Sequence, residues 1–222
     1  MTQRTKLRCG RRVFVLALSL AATVPSLAWT PQISAQDVVA ASKSDAQREQ
    51  VVNKGLAFLA KEGQSEAGTF SDRVGPGVTA LALTAAMKNG QSVDDPVVAK
   101  GLQALEGFVK PDGGIYGNGR LKNYETCVAM VCFAEANQSG KYNEILKNAK
   151  NFVTGFQYGE GKRDPSDPWY GGVGYGGAGR PDLSNTGYMI EALRAVEVPA
   201  GDPAIQRALA FVSRCQNLDS KA

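Results

Sequence analysis

The chain repeats itself. Three times a short amphipathic helical phrase is followed by a glycine-aromatic loop and then by a more apolar helix that opens on threonine. The first copy runs Lys54-Gly55-Leu56-Ala57-Phe58-Leu59, Gly68-Thr69-Phe70, then Val78-Thr79-Ala80-Leu81. The second runs Lys100-Gly101-Leu102-Gln103-Ala104-Leu105, Gly114-Ile115-Tyr116, then Glu125-Thr126-Cys127-Val128. The third runs Asn148-Ala149-Lys150-Asn151-Phe152-Val153, Gly172-Val173-Gly174-Tyr175, then Asn185-Thr186-Gly187-Tyr188, and a fourth opens at Arg207-Ala208-Leu209-Ala210-Phe211-Val212. A period of about 46 to 60 residues made of helix pairs means a stacked array, because one pair alone cannot bury its apolar face. The expected fold is all-α, with tandem helix pairs in two layers.

The first 35 residues read as an export leader rather than as part of this array. Arg4, Lys6, Arg8, Arg11 and Arg12 form a cationic start, Val13 to Leu27 is the apolar run, and Ser26-Leu27-Ala28 and Ile33-Ser34-Ala35 are small-x-small cleavage sites. The run is too short for a stable membrane span. Arg11-Arg12-Val13-Phe14-Val15-Leu16 also resembles a twin-arginine signal, with Gly10 where that signal carries Ser or Thr. A periplasmic or extracellular location is expected. Residues 36–45 read as a polar linker, and 46–222 as the repeats.

Five of the 25 Lys and Arg fall in the leader, so beyond it 20 basic residues face 21 acidic ones, a net charge of −1. That balance gives no electrostatic footprint for nucleic acid or an anionic membrane. Histidine is absent. Serine-histidine and cysteine-histidine nucleophile systems and imidazole zinc sites are therefore excluded. No metal and no cofactor is expected. Of the cysteines beyond the leader, Cys127 and Cys132 lie five apart on one expected helix and point to different faces, so they do not bridge each other. All three, Cys215 included, read as buried small hydrophobes.

Helices are expected over 46–62, 77–89, 95–108, 124–137, 142–157, 184–197 and 202–215. Asp95-Pro96 and Asp202-Pro203 are the same device, an aspartate N-cap with proline at the first helical position. First helices such as 95–108 carry charge on one side and suit an outer layer. Second helices such as 124–137 are apolar nearly all round and suit an enclosed inner one. The third loop is the longest. Its extra stretch, Tyr158 to Asp182, is rich in glycine and holds Trp169, Tyr170, Tyr175 and several acids. Insertions in repeat arrays collect on one face, often the working one.

These residues resemble the repeats of the squalene and oxidosqualene cyclases and of the protein prenyltransferase β subunits. The cyclase repeat runs Lys/Arg-Gly-x-x-aromatic-Leu, then Gln, then Gly-x-Trp. Lys54-Gly55-x-x-Phe58-Leu59, Gln64 and Gly68-x-Phe70 follow it with Phe for Trp, and Gln157 and Gln216 hold the glutamine position in the third and fourth copies, where the second has Val109. Asp112-Gly113-Gly114-Ile115-Tyr116-Gly117 resembles the prenyltransferase phrase Asp-Gly-Gly-Phe-Gly. The likeness spans residues 48–217. It implies part of an α/α toroid, an incomplete ring of three and a half repeats. Such an arc reads as a truncated array or as one completed by a second chain.

The resemblance also implies a hydrophobic, isoprenoid-like ligand on an apolar concave surface, with Tyr116, Tyr124, Trp169, Tyr170, Tyr175 and Tyr188 as the candidate contacts. The cyclases protonate their substrate with the middle acid of Asp-x-Asp-Asp-Thr. Here the register gives Asp182-Leu183-Ser184-Asn185-Thr186, with Ser184 at the proton donor's place. A serine hydroxyl is far too weak an acid to protonate an alkene. Asp182 is the remaining acid candidate; the bland roles are helix caps for Ser184 and Asn185 and a complement to the helix dipole for Asp182. The prenyltransferase zinc site needs a histidine and cannot be assembled, and Cys215-Gln216-Asn217 does not match the Cys-Gly-Glu-Gln of thioester domains.

Two further patterns carry less. Gly172-x-Gly174-x-x-Gly177 spells a dinucleotide fingerprint but follows no strand. Glu160, Asp164, Asp167 and Asp182 among aromatics suit a carbohydrate site, yet no spacing fixes a catalytic pair. The expectation is an exported repeat protein that binds or scaffolds without catalysis. The alternative is a terpenoid-cyclase-like enzyme, an isomerase acting on a polyisoprenoid once further repeats complete it.

Overall fold

The computed structural model describes residues 35–71, 73–177 and 179–216, and it falls into two units, Met1–Lys43 and Ser44–Ala222. The leader expected over 1–35 lies outside the described residues except for Ala35. Helix α1 spans Ala35–Phe58 and its last turn widens into a π-helix over Leu59–Gly63. The others are α2 (Pro76–Lys88), α3 (Pro96–Glu106), α4 (Lys122–Ala136), α5 (Asn143–Phe156), α6 (Leu183–Ala195) and α7 (Pro203–Arg214). The all-α expectation is met. Among the described residues the one β feature is an isolated bridge between Val109 and Ile115.

Residues 36–45, expected as a linker, are helical. The stretch holds no glycine or proline and carries Ala40 and Ala41, so nothing in it breaks a helix that its propensity supports. The two Asp-Pro starts behave as expected. Asp95 Oδ1 accepts from the Val97 N–H at 2.9 Å, and Asp202 Oδ1 from the Ala204 N–H at 2.8 Å. Each such cap stabilises its helix by about 1 kcal/mol.

The second helices of the three copies pack side by side, α2 on α4 and α4 on α6. The first helices flank them, with α3 on α2, α5 on α4 and α6, and α7 on α6. Helix α4 is enclosed most completely. Cys127, Ala129, Met130, Cys132 and Phe133 have no solvent exposure, as its lack of a polar face requires.

One joint recurs between copies. The repeat threonine, in the first turn of each second helix, accepts a backbone N–H from its own loop: Thr79 from Phe70 at 3.0 Å, Thr126 from Ile115 at 3.0 Å, Thr186 from Val173 at 3.1 Å. A loop glycine at positive φ then sits on the next copy's first helix. A Cβ on Gly68 would stand 2.6 Å from the Lys100 carbonyl oxygen, and one on Gly113 2.9 Å from that of Asn148, while Gly171 meets Arg207 in the same way. Only glycine allows this backbone approach.

The repeat glutamine closes the joint. Gln64 Nε2 donates to Gly68 O at 3.1 Å and to Val97 O at 2.9 Å. Gln157 Nε2 donates to Gly171 O at 3.0 Å and to Ala204 O at 2.8 Å. Both staple a loop to the second residue of a following helix that opens with Asp-Pro. Where Val109 replaces the glutamine, α5 follows without that Asp-Pro start.

Candidate functional site

The N-terminal ends of α4 and α6 bring Tyr124 and Tyr188 edge to face, with ring centroids 5.0 Å apart at 78°. The Tyr124 ring reaches over Gly77 of α2, where a Cβ would lie 3.1 Å from it. One turn along that face stands Leu81, exposed, with Val78 exposed beside it. The third loop adds Tyr175, whose carbonyl accepts from the Asn123 N–H at 2.8 Å and whose side chain is 53% exposed. Burial pushes the Tyr124 phenol above its usual range, and the neighbouring Tyr188, Tyr175 and Glu125 push it further. These groups make one aromatic, partly apolar patch.

Beneath it lies Glu125, the one charged residue buried among those described, at 2% exposure. Its Oε2 accepts from the Gly117 N–H at 2.9 Å, and its Oε1 lies against Gly75. Burial raises its carboxyl above the ordinary glutamate value, offset in part by the Gly117 bond. Sequence reasoning missed this acid, although it directly precedes the repeat threonine at the mouth of an apolar helix.

The other half of the same helical row differs from expectation. Over the C-terminal halves of α4 and α6 lies a cleft of about 740 Å³, lined by Lys88, Glu135, Glu191 and Arg194 as well as Val131, Ile190 and Gly187. This half is thus mixed in character, charged as well as apolar.

The remaining candidates lie elsewhere. Asp182 caps α6: its Oδ1 accepts from the Asn185 N–H and its Oδ2 from the Asn185 amide, both at 2.8 Å. It lines a second cleft of about 680 Å³ with Trp169, Pro181, Leu183, Phe211 and Arg214. Trp169 leans on Tyr158 at 5.6 Å and under the Arg163 guanidinium at 4.8 Å. Tyr170 is buried and donates to Glu160. Tyr116 donates to Asp112 at 2.7 Å and stacks on Phe152 of α5 at 5.8 Å. Trp169, Tyr170 and Tyr116 thus fasten loops.

The loop acids weighed for carbohydrate chemistry are spent in the same way. Asp167 accepts from the Trp169 N–H at 2.8 Å and pairs with Arg163 at 3.3 Å. Asp164 accepts from the Ser166 N–H at 2.9 Å, and Glu160 pairs with Arg207 at 3.1 Å. Among the described residues no cluster of three or more acids or cysteines could hold a metal ion, and no helix is long and apolar enough to cross a membrane. Compared with known protein families and with curated proteins, the chain matches no family model and no curated relative.

Proposed function

We propose that the chain is an exported binding module built from squalene cyclase and prenyltransferase-like repeats, the arc of an α/α toroid, and that it takes a hydrophobic, isoprenoid-like ligand. The observation that carries this reading is the Tyr124–Tyr188 pair, standing with Tyr175 over exposed Val78 and Leu81. Edge-to-face rings offer a large hydrophobic contact area to such a chain, with electron-rich faces and partly positive edges. Asp182, with both carboxylate oxygens engaged in capping, supports a binding rather than an acid-catalytic role. The export reading rests on the cationic start and apolar run of residues 4–27.

Titrating the full chain with geranylgeraniol, followed by tyrosine emission, gives saturable binding on this reading. Tyr124→Ala combined with Tyr188→Ala then weakens it about tenfold, the equivalent of about 1.4 kcal/mol. Affinity unchanged in the double variant rejects the site.

A second reading, a terpenoid-cyclase-like enzyme, is favoured by Glu125. A buried carboxyl with a raised pKa is the kind of group that stays protonated and dry enough to act as an acid. Incubation of the full chain with squalene distinguishes the two: cyclised product that disappears in Glu125→Gln establishes catalysis, and its absence leaves binding alone.

A further inference from the structure

Helix α1 presents outward a face that every other first helix buries. In the repeat register Val51, Lys54, Gly55 and Phe58 correspond to Val97, Lys100, Gly101 and Ala104 of α3. On α3 these positions meet the preceding copy. Gln64 bonds the Val97 carbonyl, Gly68 sits on that of Lys100, and Leu83 packs so closely on Gly101 that a Cβ there would come within 2.6 Å of it. The counterparts of Phe58 are likewise engaged: Phe152 stacks on Tyr116, and Phe211 is buried against Gly172. On α1, Val51 is 69% and Phe58 61% exposed, and a Cβ on Gly55 would meet nothing within 4 Å. Val52, Leu56 and Leu59, on the opposite side of the helix, already turn inward.

The order of residues on this face is self-complementary. Counting outward from Gly55, Arg48 and Glu62 are equidistant at seven residues, and Val51 and Phe58 flank the glycine at four and three residues on the exposed side. Two such helices laid antiparallel and centred on Gly55 bring Arg48 towards Glu62 of the other copy, twice. Phe58 of each copy then covers Val51 of the other. A glycine at the centre lets the axes approach closely. The ion pairs that Arg48 and Lys61 make within the chain, with Asp45 at 3.6 Å and Glu62 at 3.4 Å, are solvent-exposed and weak, so they yield readily to a partner.

We propose that the Val51–Gly55–Phe58 face of α1 is a docking surface for a second copy of this chain, in an antiparallel, two-fold symmetric contact. Such isologous pairs are the commonest oligomers, and matched charges fix their register. A single helix pair buries less than the roughly 1,200 Å² of a standard interface, so the dimer is a weak, reversible one.

Sedimentation equilibrium of the full chain tests this. The expected result is a reversible dimer, weakened about tenfold or more by Phe58→Glu or Arg48→Glu and restored when Glu62→Arg joins Arg48→Glu in the same chain. Gly55→Cys, in a background of Cys9→Ser and Cys215→Ser, forms a disulfide-linked dimer on mild oxidation. Helical circular dichroism, unchanged in each variant, shows that the fold is intact. A monomer at all concentrations overturns the proposal. So does a dimer indifferent to Phe58→Glu, or one that the paired charge reversal fails to restore; those outcomes point instead to another repeat unit as the occupant of this face.

Discussion

Gln157 Oε1 accepts from Arg207 Nε at 2.9 Å, across 50 residues of sequence, while the same side chain's amide holds two backbone carbonyls. One buried glutamine therefore satisfies a loop, the start of α7 and the guanidinium that also pairs with Glu160. Gln64 does the first two of these jobs in a wetter setting.

The difference sets the size of the loss when each is removed. Gln157→Ala strands two buried carbonyls and costs about 2–3 kcal/mol, whereas Gln64→Ala, whose partners water can reach, costs about 1 kcal/mol. Urea unfolding of the two variants measures both. Equal losses would show that the glutamines do not act through burial.

Glu125 gives the chain a pH signature. Its folded carboxyl gives up its proton at a higher pH than the unfolded chain does, so its contribution to stability is full below the ordinary glutamate range. That contribution is lost as pH rises through the elevated folded value. Glu125→Gln removes the dependence. Its stability relative to the parent chain rises as pH climbs from the ordinary glutamate range through the elevated folded value, and a flat difference in unfolding midpoints over that climb contradicts the assignment.

The cysteines separate by accessibility. Cys127 and Cys132 are buried and unpaired, and burial pushes both thiols up, that of Cys132 to about 12. Cys215 is exposed, contrary to the expectation that all three are interior. Iodoacetamide applied to the native protein modifies Cys215 first and reaches Cys127 and Cys132 only on unfolding, because the thiolate is the reactive form. Mass mapping of the labelled peptides reads this directly, and native labelling at Cys127 would refute it.

Local chemistry is what the sequence displayed well. Asp95-Pro96 and Asp202-Pro203 mark helix starts because cap and proline act within three residues, and the threonine and glutamine anchors repeat at readable spacing. The helical run over 36–45 is not legible as a helix, because its polar side chains suggest a linker while its backbone preference is helical. Tyr124 and Tyr188 were individually visible, but their pairing exists only once α4 lies beside α6. Glu125 escaped notice for a related reason: at a helix start an acid reads as a complement to the dipole, and only the folded loops of Gly75 and Gly117 enclose it. The charges at Lys88, Glu135, Glu191 and Arg194 sit near separate helix ends and become one cleft only when three helices align.

The third loop is held at its two ends, by Gln157 before it and Thr186 after it, and also between them, where Arg214 of α7 donates to the Asp167 carbonyl at 3.0 Å, Arg207 pairs with Glu160, and the Asn123 N–H of α4 reaches the Tyr175 carbonyl. Its path is therefore tied to the helices it joins, and variation is cheapest at the side chains between these anchors. An array of this construction can change what it displays there while the backbone course stays the same.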